Sequence, residues 1–181
     1  MSAIVAGEVL LKYSIAAAAG NTTASAAGTS LGDQISTTAW AGGAANDLFD
    51  DISGAENAGS TVDYRCIFVH NSNAANALQN AVVYLSAEVA GGASIAIAID
   101  NIAASVIASG SAQAAAIANE TTAPSGVGAF SSPTTAGTGL SLGNIPTGQC
   151  RAFWVRRTAA NSAALSNDGV TIAVSGDTGS L

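Results

Sequence analysis

Short apolar runs that alternate at a period of two recur along this chain, and no stretch repeats its apolar residues at the period of a helix. Apolar residues at every second position line one face of a strand, whereas an amphipathic helix needs them three and four apart. In "GEVLLKYSI" the residues Val9, Leu11, Tyr13 and Ile15 share one face. The stretch "STVDYRCIFVHN" is apolar on both faces from Cys66 to Val69, the pattern of a central or sandwich-covered strand. Next come "NAVVYLSAEV" and "ASIAIAIDNI", divided by Gly91 and Gly92, a hairpin-type break. "QCRAFWVRRT" and "DGVTIAVSG" close the series, the last with Val170, Ile172 and Val174 inward and Thr171, Ala173 and Ser175 outward. Two weaker candidates lie around residues 35–40 and 103–108.

The remaining segments read differently. "SGSAQAAAIANE" is rich in alanine, the strongest helix former, but carries no apolar stripe; it is the best helix candidate in the chain. Residues 121–148 hold all three prolines and read as a long excursion with little regular structure. Strands joined by Gly- and Pro-rich connections predict an all-β antiparallel β-sandwich, immunoglobulin-like (Ig-like) or jelly-roll-like, with an extended N-terminal segment. The turn "LGNIPTG" with the strand after it is similar to the end of many immunoglobulin-like modules. Residues 1–59 are expected to form an N-terminal strand, a spacer and an acidic connector, and residues 60–181 the β-sandwich domain. The first strand could add to a sheet edge on a neighbour or on its own sandwich.

Charge narrows the function. Charged residues are 9% of the chain, against about 25% in ordinary globular proteins, and Ala, Gly, Ser, Thr and Asn fill the space. A neutral, small-residue surface lacks the repulsion that keeps monomers apart, so this one reads as a surface that lies against other protein. With a net charge of −7 and five basic residues, the chain has no basic patch for nucleic acid and no attraction to an anionic membrane. The N-terminal apolar runs are broken by Glu8 and Lys12, unlike a signal peptide. The longest apolar region carries Asp100 and Asn101 at its middle, unlike a bilayer span.

Several residue patterns suggest chemistry, and each has a plainer reading. The pattern G-x-S-x-G occurs around Ser30 and around Ser141. A hydrolase elbow needs a strand before the serine, a helix after it and a later histidine, and the one histidine, His70, precedes Ser141. No catalytic residue is therefore assigned. His70 has neither a second histidine nor a cysteine pair to complete a zinc site. Asp47, Asp50, Asp51 and Glu56 offer carboxylates for calcium, but their spacing is not that of a calcium loop, and Asp also favours turns. No metal ligand and no cofactor is assigned. Cys66 and Cys150 sit in predicted strands near Trp154, which allows either an inter-sheet bridge or two buried thiols. Arg151, Arg156 and Arg157 suit pairing with the chain's own carboxylates or with an acidic partner. The N-x-T sequons at Asn21 and Asn119 need a secretory route to matter.

Taken in order, "GEVLLKYS", a Gly/Asn/Ala spacer, "SLGDQIS", "LFDDISGAENAGSTVDYRCIFVHN", a strand pair, "LGNIPTG", "FWVRRT" and "VTIAVSG" resemble a group of small structural proteins of tailed bacteriophages. The segments cover about two thirds of the chain, and "LFDDISGAE" with "DYRC" is the most distinctive. The resemblance implies a non-enzymatic virion structural protein, made in the host bacterial cytoplasm. Its expected place is the capsid, as a decoration (cement) protein that contacts the major capsid protein or other virion proteins and self-associates as a homo-oligomer. A neck or tail position in the same virion is the alternative within that class. An extracellular adhesive or carbohydrate-binding β-sandwich module is the alternative outside it. On this reading Leu48 and Phe49 anchor the acidic connector to the sandwich, and its carboxylates face water or a partner's basic groups.

Overall fold

A computed structural model describes residues 3–16 and 20–179; of the expected spacer over 16–29, residues 17–19 lie outside it. In chain order the strands are β1 (Val9–Ile15), β2 (Gln34–Ala39), β3 (Val62–Asn71), β4 (Ala77–Glu88), β5 (Ser94–Ile99), β6 (Ser105–Val106), β7 (Leu140–Ile145), β8 (Gln149–Thr158) and β9 (Val170–Gly179). One α-helix, α1 (Gly54–Gly59), lies between β2 and β3. All strand pairs are antiparallel. The larger sheet has the order β2-β1-β3-β8-β5, with β6 also pairing β8, and the smaller has the order β7-β4-β9. The chain is an all-β sandwich, as the alternation predicts.

The β3–β8 ladder is the centre of the larger sheet and runs unbroken from Val62 opposite Thr158 to His70 opposite Cys150. Its alternation sends Ile67, Val69, Phe153 and Val155 to one face, where they meet Val83, Leu85 and Leu142 of the smaller sheet. That face is the sandwich core. Cys66, Phe68, Ala152 and Trp154 leave the other face, and a second apolar cluster covers them. Ile107, Ala114, Ile117, Val127 and Phe130, all from the segment between β5 and β7, make up most of that cover. The protein therefore has three layers, and the third is built of loops.

A loop layer has no ladder to satisfy its backbone, so buried side chains do that work. Asp100, fully buried at the end of β5, accepts from Trp154 Nε1 (3.0 Å), Ala115 N (2.8 Å) and Ile102 N (2.9 Å). Gln113 accepts from Ile35 N and donates to Val106 O and Cys150 Sγ. Gly32 crosses the layer with φ +94°, and a Cβ there would lie 1.8 Å from Ala115 O. These contacts explain why "SGSAQAAAIANE" is not a helix. Both Gln113 N and Ala114 N donate to Asp33 O, and with no apolar stripe to favour a helix the tertiary bonds hold the segment non-helical.

The strand pairing decides one open alternative and changes two expectations. β1 pairs β3 from Val9–Asn71 to Tyr13–Ile67, and β2 pairs β1, so the first strand adds to its own sandwich. The sheet thus runs across the division expected at residue 59. Gly91 and Gly92 do not close a hairpin; they carry the chain from β4 in the smaller sheet to β5 in the larger. Asp168 packs there: its Oδ2 accepts from Ala93 N (2.7 Å), and a Cβ on Gly92 would meet its Oδ1 at 2.0 Å and displace that carboxylate. The segment 121–148 is not wholly irregular, since β7 lies within it. Its alternation breaks after Leu142 because the ladder with β4 is irregular there and Gly143 adopts φ +69°.

If the loop layer covers a true second core, truncation on either face should cost alike. Phe68→Ala and Phe153→Ala, both at fully buried positions, are each expected to lower stability by about 3–5 kcal/mol. Urea unfolding of both variants checks this. A loss under about 1 kcal/mol for Phe68→Ala alone would mean that the loops only shade the sheet.

Candidate functional site

The acidic connector is held by consecutive arginines. Arg156 and Arg157 are neighbours in β8, so their side chains leave opposite faces of the larger sheet. Arg157 stands opposite Asp63 of β3 and binds its Oδ2 through Nε (3.1 Å) and Nη2 (2.7 Å). Its remaining donors take the Asp50 carbonyl through Nη1 and Asp50 Oδ1 through Nη2 (3.2 Å). The Phe49 ring lies against two guanidinium groups, with Arg157 Cζ at 4.7 Å and Arg65 Cζ at 5.4 Å from its centroid. Arg65 pairs with Glu120. On the opposite face Arg156 lies 5.0 Å from the Phe130 ring, which meets Tyr64 edge-on at 5.6 Å. One Arg-Arg step thus clamps the connector on one side and the loop layer on the other.

The four carboxylates of the connector are separated by this arrangement. Asp50 is taken by Arg157. Glu56 and Ser53 form a capping box at the start of α1, with Ser53 N donating to Glu56 Oε2 (2.7 Å) and Glu56 N to Ser53 Oγ (3.3 Å). Asp47 contributes its backbone carbonyl to the Tyr13 hydroxyl, while Asp51 is exposed. Burial, and then the Asp47 charge, push the Tyr13 phenol above its ordinary pKa. Leu48 is buried and Phe49 packs on the sandwich core, so both anchor as expected. Among the described residues no three or more His, Cys, Asp or Glu groups converge as a metal site. Two clefts flank the clamp. The larger, about 760 Å³, lies between the connector, Trp40 and the loop before β9; the smaller, about 450 Å³, lies beside Arg65 and Glu120.

The other candidates are scattered. Ser30 is fully buried, with Oγ donating to Cys66 O (2.5 Å) and accepting from Ser14 N (2.9 Å). Ser141 is exposed on β7 in the other sheet, where its Oγ accepts from Gly143 N (3.2 Å). His70 shares a face with Phe68 and Cys150, away from the smaller sheet. The structure therefore assembles no Ser–His pair from these residues. Cys66 and Cys150 are free and buried. Cys66 stands opposite Trp154, four positions from Cys150, which is about 13 Å along a strand; a bridge needs Cα atoms within about 7 Å. Burial pushes the Cys66 thiol up and takes the Cys150 thiol to about 12, so neither is a ready nucleophile. Asn21 accepts from the buried Lys12 Nζ (2.7 Å), and Arg151 donates to Leu142 O (2.8 Å). Asn119 accepts from the Thr121 and Thr122 hydroxyls.

No family model, curated protein or solved structure matches the chain.

Removing Arg157 would strand the buried Asp63, whose Oδ1 already lacks a partner, and would unstack Phe49. Arg157→Ala is therefore expected to cost about 3–5 kcal/mol, read by chemical unfolding. The same change at Arg151, whose guanidinium makes one bond to a carbonyl, should cost much less.

His70 gives a pH signature. Burial, and then the Lys12 charge, lower its pKa from 6.5 to about 4. Between those values the unfolded chain takes up a proton that the folded chain refuses, so stability is intact above 6.5 and is lost as the pH falls toward 4. Melting temperatures across that window should fall more steeply for the native chain than for His70→Gln. Parallel slopes would show that the imidazole does not contribute.

Proposed function

We propose that this chain is a non-enzymatic structural protein of a tailed-bacteriophage virion. In this reading it decorates and stabilises the capsid through contacts with the major capsid protein and with copies of itself. The observation that carries the reading is the fate of the positive charge. Each of the five basic residues is engaged inside the fold: Lys12 with Asn21, Arg65 with Glu120, Arg151 with Leu142, Arg156 on Phe130 and Arg157 with Asp63. What remains outside is a neutral-to-acidic surface of small hydrogen-bonding residues. Such a surface suits dense protein–protein packing, where modest contacts sum by repetition over a symmetric shell. The resemblance of the ordered sequence segments to phage structural proteins points the same way.

Cryo-electron microscopy of particles of the phage that encodes the chain tests this reading. Density repeated over the whole shell is the expected result. A single ring at one vertex would move the protein to the neck or tail, and absence from the particle would end the virion reading altogether.

A further inference from the structure

The sandwich has four sheet edges, and three are protected. Along β2, Asn21 N donates to Ile35 O (2.6 Å) and Thr37 N to Thr23 O (2.9 Å), so residues 21–23 cover that edge. Along β5, Ile97 and Ser131 exchange both bonds, and Gly128 N donates to Ile99 O (2.8 Å). β7 is six residues long and irregular in its pairing, and Arg151 and Asn71 cap its carbonyls at Leu142 and Ile145. Short length, bulges and covering loops are the usual defences of an edge. β9 has neither short length nor a covering loop, and the two register shifts in its ladder with β4 put the extra residues on β4, not on β9. It is ten residues long, and among the described residues only β4 bonds to the backbone of 170–175.

We infer that the free edge of β9 pairs with β9 of a second copy in antiparallel register, which joins two smaller sheets into one six-stranded sheet. The strand is self-complementary about Ile172. An antiparallel pair centred there sets Val170 against Val174 of the second copy, Ile172 against Ile172, and Val174 against Val170. These three side chains are half-buried against the sandwich core, and the pairing would continue their apolar row across the junction. Charge agrees with this register. No charged residue lies between Val170 and Gly176, Asp177 falls opposite Asn167, and Asp168 falls opposite Gly176, so like charges never face each other. This symmetry selects a second copy over an unrelated strand, because a two-fold contact requires one patch to match itself. The inference deepens the proposed self-association but does not rest on a place in the virion, and its test needs no particle.

Sedimentation of the purified full chain should show a dimer. Ile172→Lys sets two ammonium groups face to face at the two-fold axis, and Ile172→Glu sets two carboxylates there. Each variant alone should sediment as a monomer, and an equimolar mixture should recover the dimer. A second measurement is independent of those substitutions. Ser175→Cys is exposed and takes a spin label, and the register places the two labels six residues apart along the paired strands, about 20 Å. A native chain that stays monomeric overturns the inference. So does a dimer that survives both charged variants in folded form, or a label separation inconsistent with the register, which decides the matter if the charged variants do not fold.

Discussion

A strand pair that is apolar on both faces has to be covered twice, and the rest of this structure follows from that constraint on β3 and β8. The smaller sheet covers one face in the ordinary way of a sandwich. No second sheet is available for the other, and the chain uses its long connections instead. Loops can exclude water from Trp154 and Phe68 only if their own peptide groups find partners, since an unpaired buried peptide group costs about 1–3 kcal/mol. Asp100, with three short bonds and no exposure, is the residue that reconciles these demands. A chain with few charges keeps this carboxylate in its interior because a carboxylate accepts several bonds at once.

The same principle governs the positive charges. Arg156 and Arg157 are adjacent, yet they serve different layers, because neighbouring residues of a strand project to opposite faces. The cross-strand pair of Asp63 and Arg157 fixes the register at one end of the central ladder, and Phe49 ties the connector to it. The acidic residues before β3 are thus an attachment device. Asp50 and Glu56 each satisfy a neighbouring group, the first a guanidinium and the second a helix start.

Six strands were legible because each sets large apolar residues at period two against the core, from Val9 and Leu11 in β1 to Val170 and Ile172 in β9. Even the run of apolar residues from Cys66 to Val69 announced cover on both sides. β7 was hidden because its irregular pairing near Gly143 breaks the alternation among small residues and prolines. The capping box was readable as Ser53 followed three residues later by Glu56, a helix-start signal that an acidic cluster obscures. The third layer was not readable. Its bonds join Gln113 to Ile35 and Asp100 to Trp154, partners 78 and 54 residues apart, and no local pattern records such distances. Ser30 is held by Ser14 and Cys66, 16 and 36 residues away, and no local pattern records those bonds either.

The wide separation of β3 and β8 also bears on how the protein comes into being. Residues 72–148 must be synthesised after β3 is complete and before β8 begins to emerge. At about 5–20 residues per second, this largely buried strand waits for several seconds without its central partner. An unpaired stretch such as Cys66–Val69 invites wrong pairing with neighbouring nascent chains. Asp63 and Arg65 stand at one end of that stretch and His70 at the other. Charged residues beside an apolar run are the usual guard against such pairing, and Asp63 and Arg65 occupy that position before they take their partners in the finished structure.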